Sequence, residues 1–499
     1  MSETVAEIMD VDTSNSVDTW SFFFWVMPML RVHNLLICLF VVASWTGTQF
    51  LGAQDVEKNW HRFRGPDGNG ASASAKPPIK WSNDSDNLKW KVEIPGKGSS
   101  SPIVWNDKVF VMTAVDSGKT ADGKIAAKPS TPPPQAGGDR SRGGRPGGRS
   151  RGGRGGFGRG SKPTTVQEFW VYCLNRNDGS TAWKKKVNQA VPNEGTHGTN
   201  TFCSGSPVTN GEHVYCYFGS YGLYCLDMKG EVVWERDFGD MSTRNSFGEG
   251  ASPELHNDKL ALIWDHEGDS FVEVMNAKTG EKIWRTDRSE PTGWATPRVV
   301  DYKGKTQVIV NASTVKSYDM ADGKLIWECG GQTGNPIPTP IVSGDNVICM
   351  TGFRSSACYA IPLDSQGDIS DSEKIVWNSR DIGPYVPTAV LYKGTLYGTK
   401  SSQPVLTALD AKTGETVIAS SRLDGLQTLY SSLVAANDHI FVTGRSGKTL
   451  VLKHGNKLDV VATNDLGEEV DATPALVDNQ IMIRGAKHLF CFEDPGSPR

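Results

Sequence analysis

The sequence predicts an all-β ring of eight four-stranded blades, a β-propeller, and three observations predict it. A polar turn carrying Gly, followed four residues later by Trp, returns along the chain: NAKTGEKIW (Asn276–Trp284), DMADGKLIW (Asp319–Trp327), NRNDGSTAW ending at Trp183, DMKGEVVW (Asp227–Trp234), and a softened copy, DAKTGETVI (Asp410–Ile418). A second phrase, a small residue or Pro pair leading into an apolar run, returns at Pro102, Pro207, Pro253, Pro297, Pro340, Pro387, Ser431 and Pro474; from residue 207 onward its intervals are 46, 44, 43, 47, 44 and 43. The composition agrees: 54 Gly, 22% charged residues and a mean hydropathy of −0.38 suit a soluble, turn-rich β protein. A supersecondary unit repeated every ~40–45 residues, with room for four short strands, is the mark of a propeller blade.

The first 28 residues are acidic and then aromatic, and they are read as a misassigned leader, with Met29 as the true start. Residues 29–53 have Arg31 and His33, an apolar run from Leu35 to Ala43 and small residues up to Ala53, the layout of a secretory signal. An uncleaved anchor is the alternative. Cys38 lacks the small neighbour of a lipid-anchor site, so export to periplasm, envelope or exterior is expected without lipidation. Residues 54–86 are a lead-in.

The ring itself spans 87–492. Its Gly supplies the positive φ of each tight turn, and strand alternation sets each Trp on one face to dock on a neighbouring blade. Trp90, Trp183, Trp234, Trp284, Trp327 and Trp377 take that role. The unit from Thr473 holds only three strands and ends at Phe492. NLKWKVEI (Asn87–Ile94) supplies the fourth, so the two ends of the chain seal the ring and remove exposed edges. Seven blades would result had the unit around Tyr430 decayed. Residues 493–499 are a tail. Within blade 1, residues 116–165 form a Gly/Arg/Pro-rich insertion, expected to be disordered. Seven arginines and no acid lie between Arg140 and Arg159, and without them the chain's −4 becomes about −11. Such a basic arm suits an anionic polymer or is a solvated loop; export makes nucleic acid an improbable partner.

Beyond Cys38 there are eight cysteines. Cys216 with Cys225, and Cys349 with Cys358, straddle expected hairpins with equal spacing and are the candidate disulfides. The competing reading makes Cys173, Cys225 and Cys491 buried small residues, standing where Ala408 stands in another repeat.

NAKTGEKIW and DAKTGETVI resemble the tryptophan-docking motif of quinoprotein (PQQ-like) propellers, over nearly everything from Asn87 to Phe492. WHRFRGPDGNG (Trp60–Gly70) is similar to lead-ins of such propellers. That superfamily implies either PQQ-dependent alcohol dehydrogenases or cofactor-free, BamB-like assembly proteins. The enzymatic branch implies adjacent disulfide-bonded cysteines, Ca²⁺ ligands and a catalytic Asp. No two cysteines are adjacent here and no acidic cluster matches, so no catalytic residue, metal or cofactor is assigned; PQQ with Ca²⁺ stays the alternative. Asp237-Phe238-Gly239 and Gly447-Lys448-Thr449 copy fragments of phosphate-handling motifs without their context.

What remains is a ring of loops around the axis. Connections into the inner strands offer His197, Arg244, Glu249, Trp294, Asn335, Tyr385, Tyr430, Glu469 and Asp471. On the same face, the hairpins between second and third strands offer His266, Lys316, Arg354, Lys400, Arg445 and Arg484, and corresponding hairpins in four units align Arg354, Lys400, Arg445 and Arg484. In an acidic body, cations converging on one channel mouth would draw in an anionic ligand, with Trp294, Tyr385 and Tyr430 as stacking faces. The expected function is a monomeric, non-catalytic scaffold for a protein segment or anionic ligand, peripheral to a membrane complex. A divergent alcohol or sugar dehydrogenase and an anionic-polysaccharide binder are the alternatives.

Overall fold

Eight sheets, each built on antiparallel strands, follow one another along the chain. The computed structural model describes residues 57–124, 162–494 and 496. The leader, the signal-like stretch and the arginine run of the insertion lie outside the described residues. Blades 1 to 7 span 103–190, 208–236, 254–288, 298–329, 341–379, 390–422 and 434–465. Blade 8 joins 475–493 to the strand Leu88–Glu93, with Trp90 opposite Cys491, so the ring is sealed by both ends as expected. In blade 1 the second hairpin stays paired as far as Thr120 opposite Thr165, so the insertion leaves the sheet later than residue 116.

The repeated Gly–Trp phrase works between blades. Gly280 has φ +73°, and a Cβ there would lie 2.7 Å from the Trp234 ring of the preceding blade. Only Gly satisfies both the turn and the indole lying over it. The indole N–H then donates to a carbonyl in the same turn: Trp90 to Arg176, Trp183 to Met228, Trp234 to Ala277, Trp284 to Met320 and Trp377 to Ala411 (2.8–3.1 Å). Trp327 reaches its neighbour through a relay, donating to Gln307, whose amide donates to the Leu363 carbonyl. Two junctions lack the Trp. Between blades 6 and 7, where Ile418 stands, the Tyr397 hydroxyl meets His454 Nδ1 and the Gly455 carbonyl instead. Between blades 7 and 8, Ala462 occupies the Trp position, and Trp81 of the lead-in stacks between Phe441 and Phe492.

The disulfide expectation is corrected by register. Tyr215 pairs with Cys225 and Cys216 with Tyr224; Cys349 pairs with Tyr359 and Met350 with Cys358. Each cysteine pair is therefore offset by one residue, which puts its members on opposite faces of the blade. All eight described cysteines are free and buried. Cys173, Cys225 and Cys491 each face a docking Trp (Trp183, Trp234 and Trp90), the small-residue role of the competing reading.

The second repeated phrase forms a belt around the axis. The backbone N–H of Ser101 donates to Ser206 Oγ, Ser206 to Ser252, Ser252 to Thr296, Thr339 to Thr388, Thr388 to Ser432, Ser432 to Thr473, and Thr473 back to Ser101 (2.9–3.1 Å). The hydroxyl, rather than the Pro beside it, is what the geometry uses.

The lead-in closes one end of the channel by visiting the blades in turn. Trp60 pairs with Val104 of blade 1, and the His61 carbonyl accepts from Thr209 of blade 2. Arg62 pairs with Glu254 of blade 3, and the Asp67 carbonyl accepts from Arg298 of blade 4. Asn69 exchanges hydrogen bonds with Val342 of blade 5, and Arg64 donates to the Thr388 and Ala389 carbonyls of blade 6. Ala71–Ser72 then adds a parallel strand to blade 7, and the Lys76 N–H donates to Asp478 of blade 8. Three glycines make this path possible. Gly65, Gly68 and Gly70 all have positive φ, and a Cβ on them would strike the Trp60 ring, Arg298 and Arg64, respectively.

Candidate functional site

Above this plug the channel widens into a blind cavity of about 460 Å³, within the range of small-molecule sites. Phe63 and seven residues of the hydroxyl belt lie at its floor. Its wall is aromatic: Phe247, Trp294, Phe353, Tyr385 and Tyr430. Trp294 is held by an indole bond to the Gly248 carbonyl (2.7 Å), and Tyr385 packs on Phe353 with ring centroids 5.2 Å apart. Loops of neighbouring and of distant blades are tied together at the rim. Asn335 donates to the Tyr385 hydroxyl (3.3 Å), and Thr199, bonded to His197 Nδ1, donates to Tyr430 (3.1 Å).

Left-handed backbone at non-Gly residues occurs here as well as at hairpin tips elsewhere in the ring. Asn245, Ser246, Asn335 and Arg354 are non-Gly residues with φ between 54° and 65°, and all belong to the loops of the mouth. Such conformations persist where the surroundings over-determine them.

The charge at the mouth is asymmetric. Arg244 and Arg354 are exposed and form no salt bridge among the described residues; Arg354 lies over the Phe353 ring at 5.1 Å. Asp471 is neutralised by Arg445 through two bonds of 2.6 and 3.1 Å. Glu249 accepts from the Ser220 N–H and hydroxyl, yet burial outweighs those bonds and pushes its carboxyl up to about 7. Two exposed arginines thus stand at the mouth, while of the acids lining the cavity Asp471 is spent on Arg445 and Glu249 is partly protonated near neutral pH.

Of the expected site residues, the structure brings Arg244, Trp294, Arg354, Tyr385 and Tyr430 together on the cavity. Arg445 stands just behind, over the Tyr430 ring at 4.6 Å and committed to Asp471. Lys400 is exposed and outside the lining. His266 is a buried brace whose Nδ1 accepts from the Ser242 N–H, and Lys316 pairs with Glu290. Arg484 is a correction. It is buried between blades 8 and 1, donates to the Ser100 and Met112 carbonyls, and offers no charge to the mouth. The cationic mouth thus rests on Arg244 and Arg354, and not on the four aligned hairpins. Phe63, Phe247 and Phe353 were not anticipated; their only signal was lying next to Arg64, Ser246 and Arg354 in loop-type sequence.

Known proteins place this ring. The profile of a family described as outer membrane protein assembly factor BamB, a PQQ-like repeat family, matches residues 167–420, half of the chain. The chain belongs to the PQQ-like propeller family. No curated protein matches it in sequence. Among solved structures, BamB from Moraxella catarrhalis is 14% identical and covers 67% of this chain and 94% of its own, with a TM-score of 0.48. Quinohemoprotein alcohol dehydrogenase from Comamonas testosteroni is 11% identical, covering 90% and 84%, with a TM-score of 0.56. A europium-containing methanol dehydrogenase is 10% identical, covering 87% and 90%, with a TM-score of 0.58. At these identities the likeness to solved structures is one of fold. The residues present do not fit the quinone–metal pair that such dehydrogenases suggest. Among the described residues no three His, Cys, Asp or Glu side chains cluster as metal ligands, and no cysteine lines the cavity. No reaction step is derived through either group.

Proposed function

We propose that this PQQ-like propeller is a non-catalytic binding protein that takes an anionic group, free or carried on a protein segment, into its blind axial cavity. One observation carries the reading: a closed-bottomed pocket whose rim has two arginines without a salt bridge among the described residues, and whose lining acids are spent on Arg445 or partly protonated. Arginines at a recessed mouth focus field toward an anion, and aromatic walls hold its apolar body. The signal-like stretch 29–53 supports export, and the mature N-terminus of protein recovered from the producing cell, read by mass spectrometry, tests it.

Calorimetric titration of the full chain with benzoate tests the binding reading. Saturable binding that weakens with added salt is expected. Absence of heat at millimolar benzoate, or turnover of an alcohol with PQQ, Ca²⁺ and an artificial electron acceptor, would overturn it.

A further inference from the structure

The hydroxyl belt has a property that interblade bracing alone does not explain. In its seven links each hydroxyl oxygen accepts a backbone N–H, and among the hydrogen bonds of the described residues none of these hydroxyls donates. A hydroxyl carries one proton as well as two lone pairs, so each belt residue keeps an O–H to give. Six of these seven hydroxyl residues line the cavity floor, together with Thr339. The floor is thus a circle of donors about one axis, held by backbone in a single rotational sense.

Two buried cations stand behind that circle. Arg64 donates to the carbonyl of belt residue Thr388, and Arg484 to that of Ser100, next to belt residue Ser101. Among the described residues neither makes a hydrogen bond or salt bridge to a carboxylate, the Asp67 carboxylate acting on Arg64 only through space. Burying a guanidinium without an ion pair is costly, and here two of them bracket one ring of O–H groups. Beneath the floor Arg62 and Arg298 share Glu254, so this acid does not offset both cations.

We propose that the belt recognises an oxyanion headgroup, a carboxylate or a phosphate monoester, which enters first and sits on the axis. The ligand's body then lies outward between Tyr385, Tyr430 and Trp294, and Arg244 with Arg354 steers entry without holding the bound anion. Hydroxyl-to-oxyanion bonds are short and about twice as strong as neutral ones, and a preformed ring makes several without reorganising. This inference rests on the cavity binding an anion at all, and adds where the charge goes.

The test uses the full chain with benzoate and phenyl phosphate as probes. Ser432→Ala and Thr388→Val each lower affinity for the preferred probe about tenfold at unchanged salt dependence, whereas Thr388→Ser keeps wild-type affinity. Whichever probe binds more tightly identifies the oxyanion. Should folded belt variants bind like wild type while Arg244→Ala/Arg354→Ala abolishes binding, the headgroup lies at the rim; the belt assignment falls and the binding reading stands. Failure of wild type to bind either probe removes the binding reading itself. A crystal of wild type soaked in 4-bromobenzoate decides the point without any variant. Anomalous signal from bromine on the mouth side of Tyr385 and Tyr430 supports the assignment, and bromine at the floor beside Phe63 overturns it.

Discussion

The two ends of the axial channel are built from the same eight repeats and are put to opposite uses. At the plugged end, Trp60–Gly70 fills the space between inner strands so closely that three of its glycines have no room for a methyl group. Arg64 there is fully enclosed, burial holding its guanidinium down to about 9, and buried His61 falls to about 3, which keeps it uncharged near neutral pH. At the mouth, arginines are exposed and a cavity of about 460 Å³ is left unfilled. Symmetry of the ring therefore does not dictate symmetry of function. One end is closed by packing that tolerates no change, and this is what leaves the other end free to be a pocket with a bottom.

The comparison breaks most visibly at Trp60. Its side chain is fully buried beneath blade 1, and Trp60→Ala is expected to cost about 4 kcal/mol, read from the urea midpoint at unchanged slope. Gly65→Ala comes next, at about 2–3 kcal/mol, because it meets both a φ of +81° and the Trp60 ring 2.7 Å away. A Gly65 variant as stable as wild type would mean the plug is not seated as described.

The mouth should answer differently. Arg244→Ala with Arg354→Ala is expected to change stability by less than about 0.5 kcal/mol while flattening the salt dependence of benzoate binding. If the pair destabilises as much as Trp60→Ala, the mouth is structural and the contrast fails. The smallest expected effect is on pH. The Glu249 carboxyl is raised to about 7, so below that pH it is neutral in the folded protein and above it an added negative charge faces the cavity. Benzoate keeps its charge from pH 6 to 8, so its affinity should fall a fewfold across that window and stay level in Glu249→Gln. For stability the sign is the same. The unfolded carboxyl ionises near its ordinary value, so stability declines as pH rises from about 4.5 through 7.

Much of the ring was legible because a blade repeats. Each Gly–Trp phrase carries its own turn and its own docking residue, and Trp90 could be matched to a blade that lacked one. Pairs one residue out of step were not legible: Cys216 and Cys225 share a hairpin, and only the register shows them on opposite faces. Aligning repeats also misled at Arg484. It closes a strand paired with Leu489, whereas Arg354 sits in the loop beyond Thr351, so one repeat position became a buried brace and the other a rim cation. The lead-in was the least readable. Its contacts join residues far apart in the chain, 325 positions in the case of Arg64 with Ala389, and no local period reports such pairings. Its three glycines within six residues were the visible trace of a tight path whose walls were out of sight. The Ser/Thr–Pro phrase showed where blades begin. That the hydroxyl mattered more emerged only at Thr388 and Ser432, where the Pro shifts or disappears and the hydrogen bond stays.

The route of residues 60–76 past all eight blades carries a consequence for synthesis. This stretch leaves the ribosome before any surface it rests against has been made, and its last support, Asp478, is translated some 400 residues later. This early stretch must therefore wait for its full set of supports until the last repeat has been made. A chain cut short in that repeat keeps seven units but loses both the Asp478 support and the strand partner of Leu88–Glu93, so the ring is not sealed.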